Sequence, residues 1–301
     1  LRPGQVPGRA PRDKPRITHL GGCQSGVPVE VTQVAEQLRA AQAPAAPSTA
    51  YELDAMLDAG LLTIAYQPVV SISTGEVVAV EALARMRDPE TDCLLPPDEF
   101  IPLAEQTGRI ARIDRMVLKK SAQQAVGWRS LLAPRPFSIG VNFSVAGLSQ
   151  DGLVDVVASA CDDAGLPYDA LTVEITETVL SGADEHEVVL RAIDDLGCNL
   201  TLDDFGTGYS SMSHLTRFPI SGIKIDRRFV ADLGTRGLGG LVALALVRLG
   251  TDLGLHVIAE GVETAAQLSA LEFVGCPFAQ GYLISRPVPA EELTAFLRTS
   301  R

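Results

Sequence analysis

The sequence predicts an α/β fold, a modified (β/α)8 TIM-type barrel with an antiparallel first strand. Three observations carry that prediction. Eight short β-rich runs recur between residues 61 and 283. Helical patterns lie between most of them, the alternation expected of a parallel sheet closed on itself. The first two runs break the pattern: only 71-SISTG-75 joins them, a turn of hairpin size, so they should pair antiparallel.

The elements follow in order. Residues 1–27 are rich in Pro, Gly and Arg without periodicity and read as disordered. Residues 28–42 have the pattern of a short helix, and 43-APAAPSTA-50 reads as a linker. The expectation is therefore a disordered or linker-like segment over 1–50 and a barrel domain over 51–301. Thr49, three residues before Glu52, signals a helix start, with the helix running to about Leu57. Strands are expected at 61–70, 76–83, 137–143, 171–176, 199–204, 222–226, 255–260 and 277–283, where apolar and β-branched residues cluster. Helices are expected at 112–132, 150–165, 184–197, 238–254 and 263–275, several closed by Gly as a C-cap.

Composition narrows the function classes. A chain of 301 residues, 46% hydrophobic and 21% charged, is globular with ample length for a large core. A net charge of −12 and a pI near 4.8 argue against binding duplex nucleic acid non-specifically. An anionic substrate would need metal ions or a local Arg/Lys cluster to offset the protein's own field. The five cysteines, Cys23, Cys93, Cys161, Cys198 and Cys276, are scattered without a CxxC pair, which points to reduced thiols in a cytoplasmic protein. No apolar run approaches ~18 residues, so no membrane span is expected. The nearest, 237-GLGGLVALALVRLG-250, reads as a buried helix. The first residue is Leu, which suggests a fragment or a processed product.

In a parallel barrel, chemistry collects at the C-terminal ends of the strands. Reading those ends in turn gives Glu81, Asn142, Glu174 with Glu177 after it, Asp203 with Asp204, Lys224 with Asp226, Glu260 with Glu263, and Gln280. Any one acid there has a plainer explanation, capping the helix that follows. A ring of them with one inward lysine does not. Such a ring repels itself unless cations intervene, and its oxygen ligands suit Mg²⁺ or Mn²⁺. A shared carboxylate such as Asp203 can bridge two ions in the manner used for in-line phosphoryl displacement. Lys224 then serves to orient or deprotonate a water, or to neutralise transition-state charge; its plainer role is a salt bridge to Asp203 or Asp226.

At this point the motifs resemble a known family. Glu81-Ala82-Leu83, with Ala84-Arg85 after it, is similar to the motif that names the EAL domain, a bacterial cyclic di-GMP phosphodiesterase. Further similar motifs follow in family order from Leu61 to Leu297: 66-YQPVV-70, 141-VNFS-144, 174-EITE-177, 203-DDFGTGYSS-211, 222-GIKID-226, 259-AEGVE-263 and 280-QGYL-283. The resemblance implies that Glu81, Asn142, Glu174 and Asp203 hold a first metal, that Asp203 and Asp204 serve a second, and that Glu260 and Gln280 belong to the metal and water shell. It makes Lys224, Glu260 and Glu81 the candidate catalytic residues. Gln67, Leu83, Arg85 and Gln280 are the implied substrate contacts, with Arg85 near a phosphate. Glu177 matches a glutamate that pins the loop after the fifth strand, and Glu263 is grouped with it as loop-stabilising. Two Mg²⁺ or Mn²⁺ ions, cyclic di-GMP as substrate, linear pGpG as product and a homodimer complete the expectation. The departures flank the Arg: Ala84 and Met86 stand where the family more often has Leu and Trp.

Two other classes remain open to the sequence. One is a silent sensor that binds cyclic di-GMP and signals through protein contacts. The other is a metal-assisted lyase or isomerase with Lys224 as base. Among the remaining residues, His256 inside a strand run reads as core, Trp128 as packing, 184-DEHE-187 as a helix start, and Arg227 and Arg228 as either solvated or facing phosphate. Gly206 and Gly208 give the loop after Asp204 its backbone freedom.

Overall fold

A computed structural model describes residues 46–207, 215, 217–234 and 237–299. The expected helix at 28–42, Cys23 and most of the loop after Asp204 lie outside the described residues.

Helix α1 (Ala50–Asp58) begins as the sequence predicts, with the Thr49 hydroxyl accepting from the Glu52 N–H at 3.2 Å. The reciprocal half of the cap is shifted by one residue: Glu52 Oε2 accepts from the Ser48 N–H at 2.7 Å. The helix buries Leu53, Met56 and Leu57, and its outer face carries Asp54, which pairs with Arg109 at 3.0 Å.

Strand β1 (Leu62–Ser71) turns back into β2 (Val77–Arg87) as an antiparallel pair in register from Leu62↔Met86 onward. β2 runs past the expected end at 83. Its outer stretch, Ala84 to Arg87, gains partners on β1 and on the two-residue strand β3 (Leu94–Leu95). Glu81 therefore sits mid-strand rather than at a strand end. Two helices follow, α2 (Ile101–Gln106) and the long α3 (Ile110–Leu132). Trp128 of α3 is buried, as expected of a packing residue; its ring meets Tyr66 edge-on at 4.8 Å and its N–H donates to Thr294 Oγ1 at 2.8 Å.

From here the chain alternates. β4 (Ser138–Phe143), β5 (Leu171–Thr176), β6 (Asn199–Phe205), β7 (Gly222–Ile225) and β8 (His256–Ala259) are parallel neighbours in chain order. Between them run α4 (Val145–Leu148), α5 (Leu153–Ala164), α6 (Ala183–Asp195), α7 (Arg227–Ala231) and α8 (Leu238–Asp252). After α9 (Ala265–Phe273), β9 (Phe278–Ala279) pairs parallel to β8 and antiparallel to β1. With β2 beside β4 and β1 beside β2, eight strands close a barrel in which β1 is antiparallel to both neighbours. The expected last strand, 277–283, shrinks to two residues because the chain bends away at Gly281 and returns to bridge Tyr66 with Val288. Helix α10 (Ala290–Thr299) packs back over β1 and α3.

Two further expectations are corrected. His256 is exposed, because it opens β8 at the lower rim rather than lying inside the strand. Helix α8 is not buried all round. Gly240, Ala243, Val247 and Gly250 face the barrel, whereas Leu238 and Leu241 are 78% and 64% exposed. Small residues let α8 approach closely: a Cβ on Gly250 would crowd Ile223 and Val257. Among the described residues no helix is long and apolar enough to cross a membrane.

Candidate active site

Side chains alternate across a strand, so residues two apart share a face. Asn142, Glu174, Asp203, Lys224, Glu260 and Gln280 all point into the barrel near the upper strand ends, with Glu81 opposite on β2. Lys224 is the centre of the set. It is fully buried, and its Nζ lies 2.7 Å from Glu260 Oε1, 2.9 Å from Glu174 Oε2, 3.0 Å from Glu81 Oε2 and 3.4 Å from Asp203 Oδ1. Its expected pairing with Asp203 is present. Asp226 is engaged elsewhere: it caps α7, accepting from the Arg228 N–H at 2.7 Å and from the Arg228 guanidinium at 3.0 Å.

Amides complete the ring. Asn142 Nδ2 donates to Glu81 Oε1 at 2.8 Å, and Gln280 Nε2 donates to Glu81 Oε2 at 2.6 Å and to Gln67 Oε1 at 3.0 Å. Gln67 in turn donates to the Ser285 carbonyl at 3.0 Å. At the end of β6 the backbone breaks register. Asp204 takes φ +52°, and its N–H donates to Asp203 Oδ1 at 2.9 Å. The irregularity turns two neighbouring carboxylates toward the same mouth, a common use of such a bulge beside a site.

The electrostatics follow from four acids around one cation. Burial would lower the Lys224 pKa, but Asp203, Glu174, Glu260 and Glu81 together raise it well above the ordinary lysine value. Burial would raise Glu81, yet Lys224 and the donors from Gln280 and Asn142 bring it below the usual range. Glu174 and Glu260 lose that contest. Burial, reinforced by the neighbouring carboxylates, raises Glu174 well above normal and pushes Glu260 to about 8, despite Lys224. Asp204 is pushed to about 6, by burial first and then by its hydrogen bond with Asp226 and the charge of Asp203. Lys224 offsets the burial of Glu81 but not that of Glu174 or Glu260.

Divalent cations fit what is missing. Glu81, Glu174 and Asp203 can each offer an oxygen within 4.8 Å of the others, and so can Asp203, Asp204 and Glu260. Asp203 belongs to both triads. The donors are all oxygen, the preference of Mg²⁺ or Mn²⁺ rather than of a thiolate-bound metal. Gln280 Oε1 is buried without a hydrogen-bond partner among the described residues, an acceptor facing a site that lacks a donor.

Other expected residues lie further out. Leu83 and Arg85, both partly buried, sit above Glu81 on the same face of β2; burial lowers the Arg85 pKa, and Tyr282, Glu81 and Asp98 only partly oppose it. Glu177 is buried just after β5. Glu263 is exposed, and it is its backbone N–H that donates to Gln267 Oε1, at 2.8 Å. The structure thus groups Glu81, Asn142, Glu174, Asp203, Asp204, Lys224, Glu260, Gln67 and Gln280, and leaves Glu263 outside. Arg227 and Arg228 are exposed.

Sequence reading missed two supports. Asp114 of α3 is buried, and its carboxylate accepts from the Ser144 hydroxyl at 2.9 Å and N–H at 3.3 Å, anchoring the turn after Asn142. An acid on the apolar stripe Ile110, Ile113, Val117 was the available signal. Gly140 is the other: a Cβ there would overlap Glu174 Oε1.

Comparison with known proteins agrees with this geometry. The family profile for the EAL domain matches residues 50–287. The chain belongs to the EAL domain family. It is 39% identical over 241 residues to the cyclic di-GMP phosphodiesterase NbdA of Pseudomonas aeruginosa, covering 80% of this chain and 30% of that protein. It is likewise 39% identical to the bifunctional diguanylate cyclase/cyclic di-GMP phosphodiesterase MucR of the same organism, over 81% of this chain and 36% of that one. The chain therefore spans about a third of these curated relatives. Among solved structures, the PaMucR phosphodiesterase in complex with c-di-GMP superposes with a TM-score of 0.76 at 39% identity, covering 81% of this chain and 98% of that one. The EAL domain of Mycobacterium smegmatis DcpA gives 0.68 at 33%, covering 80% and 99%.

Proposed function

We propose that this EAL domain hydrolyses cyclic di-GMP to linear pGpG with the help of two Mg²⁺ or Mn²⁺ ions, lowering the level of that messenger. The observation that carries the reading is the pair of carboxylate triads sharing Asp203 around buried Lys224. Its relatives' names supply the substrate.

Glu81, Asn142, Glu174, Asp203, Asp204 and Glu260 would hold the ions. When bound, these stabilise charge on the incoming and leaving oxygens of the phosphodiester. Lys224, kept protonated by its carboxylate partners, orients the attacking water and offsets negative charge as it develops. Glu260, ionised once the ions are bound, would be the carboxylate that accepts that water's proton. Glu81 fixes the ring by gathering Asn142, Gln280 and Lys224 on one carboxylate. Gln67, Leu83, Arg85 and Gln280 position the dinucleotide, Arg85 against a phosphate. Glu177, buried after β5, and Glu263, through its backbone N–H to Gln267, would steady the loops at the mouth. The domain of residues 51–301 works in the cytoplasm as a homodimer, with residues 1–50 as a linker-like lead.

The test is incubation of the purified chain with cyclic di-GMP and Mg²⁺ or Mn²⁺, with products separated by chromatography. pGpG should appear, vanish with a chelator, and fall by more than roughly 100-fold in Glu81→Ala, since even outer-shell partners of a metal site cost about 10–100-fold. Binding without product would favour the silent sensor; another product from another substrate would favour the lyase or isomerase reading.

A further inference from the structure

The barrel interior changes character just beneath the charged ring. Two residues before Asn142, Glu174, Asp203 and Lys224 on their own strands stand Gly140, Thr172, Thr201 and Gly222. Barrels of this type ordinarily fill that level with large branched side chains. Here half of the level is glycine and threonine. A cavity of about 440 Å³ results, open at the N-terminal mouth and closed above by Glu174.

Its walls are two-sided. Ile258 and Phe278 make an apolar wall, and Thr172 and Thr201 bring hydroxyls to the other. Thr201 is only 5% exposed, its Oγ1 lies against the space that a side chain on Gly222 would take, and among the described residues no hydrogen bond reaches that hydroxyl. A hydroxyl that lines an open cavity without a protein partner is free to bond a molecule that enters. Deep in the cavity no charge is spare, because Glu174 Oε2 already pairs with Lys224 at 2.9 Å. The other charged or titratable lining residues are Asp169 and His256, both exposed, and Arg129, whose guanidinium donates to the Phe137 carbonyl at 2.6 Å. An ion seated against Thr172 and Thr201 would lose its hydration without gaining a counter-ion there. Size sets the rest: a cavity of about 150 Å³ accepts benzene, so this one accepts a substituted ring or a fused bicycle.

We propose that the lower half of the barrel is a second ligand site, separate from the phosphodiesterase mouth, for a small uncharged aromatic or heteroaromatic molecule bearing an O–H or N–H donor. Its ring packs on Ile258 and Phe278, and its polar edge meets Thr201 and Thr172. Glu174 is the side chain that the two sites share.

Phenol and toluene are matched probes, one ring with a donor and one without. The full chain is titrated with each while backbone amide shifts are followed by NMR. Phenol should give saturable shifts at Gly140, Thr172, Thr201 and Gly222, and toluene should bind several-fold more weakly. Thr201→Val should weaken phenol by about fivefold, the worth of one hydrogen bond, and leave toluene unchanged. Thr172→Met, which fills the void, should abolish both, with thermal melting checking that it folds. No saturable shift up to the solubility limit overturns the proposal, as do shifts that survive Thr172→Met or a phenol affinity indifferent to Thr201→Val. The experiment needs neither metal nor cyclic di-GMP, so it can fail while the hydrolase reading stands, and the reverse.

Discussion

The upper and lower halves of the barrel interior are built from the same strands yet obey opposite rules. Above, four carboxylates crowd one lysine at 2.7–3.4 Å, and the amides Asn142 and Gln280 are bonded into the same ring. Two residues lower, the same strands present Gly140, Thr172, Thr201 and Gly222 around a void. The upper half is dense and electrostatically overcommitted; the lower half is underfilled, with its charged residues at the rim and uncharged ones within. The two are linked. Gly140 is bare because Glu174 leans over it, so the room that the charged ring needs is taken from the level beneath.

That contrast can be tested by asking where substitutions hurt. The largest effect should come from Lys224→Met. It leaves four buried acids without their cation and should cost about 3–5 kcal/mol, read by urea unfolding in chelator. Excess Mn²⁺ should return part of the loss. Comparable sensitivity at Thr172 would erase the contrast.

Next comes pH. Glu260 is pushed to about 8 in the folded protein without metal, against an ordinary glutamate value of 4.5. Its folded form holds the proton more tightly than the unfolded chain does. That contribution is complete below about pH 4.5 and is lost as pH rises through about 8. In chelator, Tm should therefore fall over that window by something of order 5 °C, and saturating Mn²⁺ should flatten the slope. A metal-free Tm that rises across the window would contradict the crowding described for the upper half.

A smaller effect is expected at the seam. Gly140→Ala forces Glu174 aside and should cost about 1–3 kcal/mol, with weaker Mn²⁺ binding by calorimetry. The smallest belongs to the lower half: Thr172→Val should change stability by less than about 1 kcal/mol in the same unfolding assay.

The two halves also differed in how readable they were. The upper ring was legible because acids at the ends of alternating apolar runs are conspicuous, and the short turn at 71–75 gave away the antiparallel start. Lys224 stood out as the one cation among them. What Lys224 touches was only half legible, since its pairing with Glu81, Glu174 and Glu260 depends on strand stagger, which no single run encodes. The void was not legible at all. Gly140 and Gly222 are unremarkable within their own strands, and only the register places them at one level with Thr172 and Thr201. The long β2, the exposed His256 and the exposed leucines of α8 went astray for a related reason. Each depends on what a neighbouring element covers, and local pattern reports the segment rather than its neighbours.

The positive φ of Asp204 has an evolutionary consequence. At +52° the backbone tolerates few residues cheaply, chiefly Gly, Asn and Asp. Asn is nearly the same shape as Asp but replaces one ligating oxygen with an NH2 donor and carries no charge. Mutation at this position is thus funnelled by backbone strain toward a replacement that keeps the kink and discards one acid. With Asp204 serving the second metal as proposed, that one exchange would separate hydrolysis from binding and leave the scaffold intact. Silent descendants of such a domain should accordingly carry Asn at this kink more often than Ala or Val.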